Sequence, residues 1–124
     1  MSLILIVEDN DKNMKLVRDV LQAKGYATLE AVTGEEGVRL AAERTPDLIL
    51  MDIQLPGING IEALGQLRAD PRTALIPAIA VTASVMQGDR KKITEAGFDG
   101  YIGKPINLKE FLDTVRSMLE RNQA

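Results

Sequence analysis

Two periodicities alternate along the chain. Short apolar runs at 3 to 7 (LILIV), 27 to 32 (ATLEAV), 48 to 51 (LILM) and 78 to 81 (AIAV), with a weaker one at 100 to 103 (GYIG), have the length and composition of strands. Between them apolar residues recur at helical spacing, as at Met14, Val17 and Leu21, or at Leu108, Phe111, Leu112, Val115 and Leu119. Helix starts are punctuated: Thr33 with Glu36, Asn59 with Glu62, Ser84 with Gln87 and Asn107 with Glu110 each set a capping side chain three residues ahead of a Glu or Gln. Gly25, Gly97 and the pair Asp70-Pro71 mark stops. The pattern predicts five strand–helix units, (βα)5.

Strands that alternate with helices pair in parallel and are covered on both faces, so the first and third read as unbroken apolar runs. With right-handed crossovers, five such strands form an α/β, doubly wound sheet in the order 2-1-3-4-5. Its ligand crevice lies at the carboxyl ends of strands 1 and 3. No linker or repeat divides the 124 residues, and one domain over 1–124 is expected.

That crevice explains an oddity in DLILMDIQLPG, residues 47 to 57, where a run with the character of a buried strand ends in Asp52 and breaks into a Pro-Gly turn. A buried carboxylate is costly unless it is paired, metal-bound or at a solvated rim. At the same rim the strand order gathers Glu8 and Asp9 from the first strand, Thr82 from the fourth and Lys104 from just past the fifth. Three carboxylates repel, which raises proton affinity or calls for a cation.

Composition narrows the chemistry. The chain has no His and no Cys, which removes the commonest general base and the soft metal ligands. An oxygen-only set selects a hard ion, and Mg2+ typically takes a few carboxylates or carbonyls together with waters and a phosphate. Asp can attack phosphorus to form an aspartyl phosphate while a metal, a Lys and a Thr hydroxyl stabilise the transferring charge. The net charge of -3, without blocks of like charge, argues against a nucleic-acid or anionic-membrane surface. No segment approaches about 18 consecutive apolar residues and MSLILIVEDN lacks a cationic leader, so a cytoplasmic chain is expected.

The set VEDN after the first strand, LILMDIQLPGING, VTAS after the fourth and GYIGKPI resembles the response regulator receiver domain, and the similarity covers essentially the whole chain. The resemblance implies a CheY-like, flavodoxin-like fold and a phosphorylation switch of a two-component phosphorelay, not an enzyme. Carried over by residue, Asp52 would be the phosphoacceptor. Glu8, Asp9, Asp52 and the backbone carbonyl of Gln54 would hold Mg2+, Thr82 and Lys104 would bind phosphoryl oxygens, and Thr82 and Tyr101 would form the switch. The implied partners are a histidine kinase or histidine phosphotransferase, a downstream protein on the face of the fourth helix, fifth strand and fifth helix, and a second copy in a weak homodimer. Neither nucleic acid nor membrane is implied. NMKL, PDLILMDIQLP and the GD after the fourth strand are most similar to DivK-type single-domain regulators of cell division and polarity. Departures are small: Glu8 replaces the more frequent Asp, Ile106 follows Lys-Pro where an aromatic is common, and Ala83 leaves the entrance open. Turning the chain so that the Lys104 ammonium points back over the rim suits a cis bond before Pro105.

Taken singly, most of these residues have plainer readings. Asp9 could cap a helix, Thr82 could end a strand, Lys104 could be a solvated charge and Tyr101 a half-buried packing residue. DRKK, 89 to 92, reads as a solvated helix face. Asp52 resists this, because neither turn nor cap requires a carboxylate after LILM, and the joint placement of five residues at four strand ends favours a site. Of the rival functions, a Mg-dependent aspartyl-phosphate phosphatase would want a second carboxylate where Gln54 stands. A flavin carrier would need a Ser/Thr/Gly-rich phosphate loop where the acidic EDNDKN stands. A receiver domain belonging to a larger hybrid kinase or transcription regulator is the other alternative, although the end at ERNQA, directly after the fifth helix, favours a stand-alone protein. The fourth helix, roughly 84 to 96, with Val85, Met86, Ile93 and Ala96 as its main apolar residues, reads as the least amphipathic and the cheapest to move.

Overall fold

The computed structural model describes residues 2–83 and 87–123. Strands β1 (Leu3–Val7), β2 (Ala27–Ala31), β3 (Leu48–Asp52), β4 (Ala78–Thr82) and β5 (Gly100–Gly103) alternate with helices α1 (Asp11–Ala23), α2 (Gly34–Arg44), α3 (Gly60–Ala69), α4 (Gln87–Ala96) and α5 (Leu108–Gln123). The strands pair in parallel in the order β2-β1-β3-β4-β5, the order that strand–helix alternation predicts. Asp52 and Thr82 turn out to be the last residues of their strands. β2 stops one residue early, at Ala31, whose carbonyl takes the amide of Glu8, and Val32 is left exposed.

Both faces of the sheet are covered, which is why the strands lack polar alternation. On one face Ile4, Ile6, Leu48 and Leu50 pack with Met14, Val17 and Leu21 of α1 and Phe111 and Val115 of α5. On the other, Leu5, Val7, Ile49 and Met51 meet Ala41 of α2, Leu64 and Leu67 of α3 and Ile93 of α4.

The helix starts form as the sequence suggests wherever they are described. Thr33 accepts from the amide of Glu36, Asn59 and Glu62 close a reciprocal capping box, and the amide of Glu110 donates to Asn107. Ser84, Val85 and Met86 lie outside the described residues. α1 is capped by Asn10, which accepts from the amide of Asn13 at 3.0 Å, so Asp9 is not its cap. Gly25 and Gly97 follow α1 and α4 with φ of 90° and 106°, where a glycine is needed. α3, not α4, has the weakest contrast between its faces, since half-buried Ile61 and Arg68 flank its buried Ala63, Leu64 and Leu67. α4 is instead the most polar helix, and among its described side chains, 90–96, Ile93 alone is buried.

Candidate functional site

Register builds the site. Val7 pairs with Met51 and Asp52 with Val81, so the residues that follow β1 and end β3 emerge side by side at the carboxyl edge. Thr82 ends β4 opposite Gly103, and the amide of Lys104 donates to the Thr82 carbonyl at 2.8 Å, which fixes where the lysine leaves the sheet. The Lys104–Pro105 peptide is cis. Behind β3 the chain turns back so tightly that the amide of Gly60 donates to the carbonyl of Ile53 at 2.9 Å.

Each buried carboxylate is held by a backbone amide two residues on. Asp52 Oδ1 accepts from Gln54 at 3.0 Å, and Glu8 Oε1 accepts from Asn10 at 3.1 Å. Their other oxygens face Lys104, whose Nζ lies 2.8 Å from Asp52 Oδ2 and 3.1 Å from Glu8 Oε2. Glu8, Asp52 and Thr82 are each only 4% exposed, whereas Asp9 is exposed at the mouth. Carboxylate oxygens of Glu8, Asp9 and Asp52 all lie within 4.8 Å of one another. They open, with Gln54, Ala83 and Lys104, onto a cleft of about 320 Å³.

Burial, and then the charge of Asp52, pushes the Glu8 carboxyl above its ordinary range, against the hydrogen bonds from Asn10 and Lys104. Burial would pull Lys104 down, but hydrogen bonds to Asp52 and Glu8, with the two charges, outweigh it and raise it. Three carboxylates thus face one ammonium. This is an under-neutralised, oxygen-only donor set, and its chemistry fits a hard divalent cation in the cleft.

Of the residues singled out from sequence, Glu8, Asp9, Asp52, Gln54 and Lys104 share this cleft. Thr82 is buried at the adjacent strand end. Tyr101 is 36% exposed and lines a different pocket, of about 430 Å³, with Arg90, Lys104 and Glu110. Two contacts escape the sequence reading. Asn10 supports Glu8 as well as capping α1; its partner at the third position is Asn13, so no Glu or Gln signals the cap. Arg90, within the run read as a solvated face, stacks over the Tyr101 ring with its guanidinium carbon 5.0 Å from the centroid.

Residues 4–116 match the sequence model of the response regulator receiver domain. The polar-differentiation response regulator DivK of Brucella ovis is 48% identical over 116 residues, which is 94% of each chain. The receiver domain of a sensor histidine kinase from Pseudomonas aeruginosa PAO1, crystallised with a magnesium ion coordinated in its active site cleft, superposes with a TM-score of 0.90 at 34% identity, over 96% of this chain and 98% of that one. A CheY-like response regulator receiver domain protein from Methanospirillum hungatei JF-1 superposes with a TM-score of 0.91 at 28% identity, over 99% and 97%.

Proposed function

The chain belongs to the response regulator receiver family, and from that premise we propose that it is a two-component signalling switch that accepts a phosphoryl group on Asp52. The observation that carries this reading is the placement of Asp52: buried at the end of β3, held through Oδ1 by the Gln54 amide and through Oδ2 by Lys104, yet open to the acidic cleft. A carboxylate fixed at both oxygens is aimed before any donor arrives, which lowers the entropic cost of reaction.

Glu8, Asp9 and Asp52, with the carbonyl of Gln54, would hold Mg2+, which when bound neutralises charge on the transferring phosphoryl group. A carboxylate oxygen of Asp52 forms the new bond to phosphorus as the bond to the donor breaks, and the leaving group keeps that electron pair. Lys104 exchanges its contact with the Asp52 carboxylate for one with a phosphoryl oxygen, and Thr82 hydrogen-bonds a second. The donor class is a histidine kinase or histidine phosphotransferase. The chain turns over no separate substrate, and acts by assisting the gain and loss of its own phosphoryl group.

Output runs through protein contacts on the face made by α4, β5 and α5, as Thr82 and Tyr101 respond to the phosphoryl group. Similarity to a polar-differentiation regulator supports a role in cell polarity and division. No helix among the described residues is long and apolar enough to cross a membrane. Likeness to the DivK response regulators supports a cytoplasmic location.

The test is incubation with acetyl phosphate and Mg2+, followed by intact mass and peptide mapping. One phosphoryl group should appear on Asp52 and none on the Asp52→Asn variant. Thr82→Ala should still be modified, while the amide shifts of residues 87–103 stay close to their resting values. Modification at another residue, or none, overturns the assignment.

A further inference from the structure

We propose that Arg90 is a latch that holds the Tyr101 ring in its outward position and so sets the resting balance of the switch. This rests on the reading of Thr82 and Tyr101 given above, and it adds a residue that neither the acidic cleft nor its chemistry requires.

Strand register sets the face on which the ring lies and the residues that neighbour it. Ile102 is buried in the core shared with α1 and α5, so strand alternation sends its neighbour Tyr101 to the opposite face, the side of α4. On that face Tyr101 pairs across β4 with Ala80, which is fully buried and small. Thr82 pairs with Gly103, two residues further along, and is therefore the diagonal neighbour of Tyr101, within reach of an aromatic side chain. The route along the sheet from Tyr101 towards Thr82 is thus flanked by an alanine and a glycine.

In the structure the ring lies elsewhere. It is 36% exposed, with the Arg90 guanidinium stacked over it at 5.0 Å, beside the 430 Å³ pocket. The Tyr101 ring is the partner the structure shows for the Arg90 guanidinium. An Arg placed over a Tyr face at an exposed site favours the stacked arrangement by about two- to fivefold. That bias is large for α4, whose described side chains bury only Ile93. Moving the ring inward breaks the stack, and moving α4 breaks it too, so one contact ties the ring to the helix. Ligand energy spent at Thr82 must overcome it before the output face can change.

The experiment uses the unphosphorylated full chain with tyrosine rings and Ala and Thr methyls isotopically labelled. It reads cross-relaxation between the Tyr101 ring protons and the methyls of Ala80 and Thr82. In Arg90→Ala the inward contact should rise about two- to fivefold over wild type, and in Arg90→Lys, which keeps a cation over the ring, it should stay near the wild-type value. Tyr26, packed against the α1 and α5 side, is the internal control and should not change. Unchanged Tyr101 cross-peaks in Arg90→Ala, or an equal rise in Arg90→Lys, would overturn the latch. Because no phosphodonor is present, this result is independent of whether Asp52 is the phosphoacceptor, which the mass measurement decides separately.

Discussion

Lys104 Nζ stands 2.8 Å from Asp52 Oδ2, joining residues 52 positions apart and placing a single ammonium against three carboxylates. The imbalance shows at Glu8, whose carboxyl is raised by burial and then by the charge of Asp52. A folded-state pKa above the unfolded one means that this group's contribution is fully present below the unfolded value and is lost as pH rises through the folded one. Without divalent metal, stability should therefore fall between acid and neutral pH by the share that Glu8 carries. Glu8→Gln should flatten that limb and melt higher than wild type at neutral pH. Denaturation followed across pH checks this, and a lower neutral-pH stability for Glu8→Gln would show that the contact with Lys104 outweighs the burial.

Metal should reverse the effect. If the three carboxylates share Mg2+, folding is linked to its binding, and a hundredfold excess over Kd adds about 2.7 kcal/mol. For a chain of this size that is roughly 10 °C in Tm. Asp9 is exposed at the mouth and does not cap α1, so Asp9→Asn should leave metal-free stability nearly unchanged and remove most of the Mg2+-induced shift. An unchanged shift would take Asp9 out of the metal site.

Most of this site is legible in sequence because it rests on period and order. Alternating strand and helix signals fix a parallel sheet, the sheet order brings particular strand ends together, and Glu8, Asp9, Asp52, Thr82 and Lys104 sit at those ends. Arg90 and Asn10 are hidden for a different reason. Their roles come from a contact between a helix surface and an edge strand, and from a backbone amide turned towards a side chain; neither leaves a periodic trace. The fourth helix reads from sequence as the least amphipathic, although α3 holds that place, because a count of apolar residues measures how polar a helix is, not how its polar residues are arranged around it.

At the amino ends of β4 and β5, Arg68 ties two segments, 74–78 and 97–99, to the end of α3. Its guanidinium donates to the carbonyls of Ala74 at 3.1 Å, Ile76 at 2.6 Å and Gly97 at 3.3 Å, and pairs with Asp99 at 3.2 Å. The same Asp99 oxygen accepts from the Ala78 amide at 2.9 Å. The planar fork makes this possible, and a lysine would not reproduce it. Arg68→Ala and Arg68→Lys should each lose about 1–3 kcal/mol. Hydrogen exchange should rise at residues 74–78 and 97–99, while modification of Asp52 proceeds at the wild-type rate. Protection unchanged in those segments would show that the clasp contributes nothing measurable.

Two glycines of α3 offer an internally controlled test of how tightly the helix backs Asp52, the proposed phosphoacceptor. A Cβ on Gly60 would overlap the carbonyl oxygen of Asp52 and stand 2.9 Å from Ile53 Cα, both main-chain atoms that have no rotamer to yield. A Cβ on Gly65, one and a half turns on, would meet nothing within 4 Å. Gly65→Ala should stabilise the protein by about 0.5–1 kcal/mol, the usual gain for alanine within a helix. Gly60→Ala should instead cost about 1–3 kcal/mol, because the start of the helix must move away from β3. The movement falls on the backbone of Asp52, so the rate of modification by acetyl phosphate should drop well beyond the loss of stability, by up to about a hundredfold for a displacement near 1 Å. Intact-mass kinetics and denaturant melts on the pair separate the two effects. If Gly60→Ala loses stability but keeps the wild-type rate, the helix start supports the fold without aiming the carboxylate.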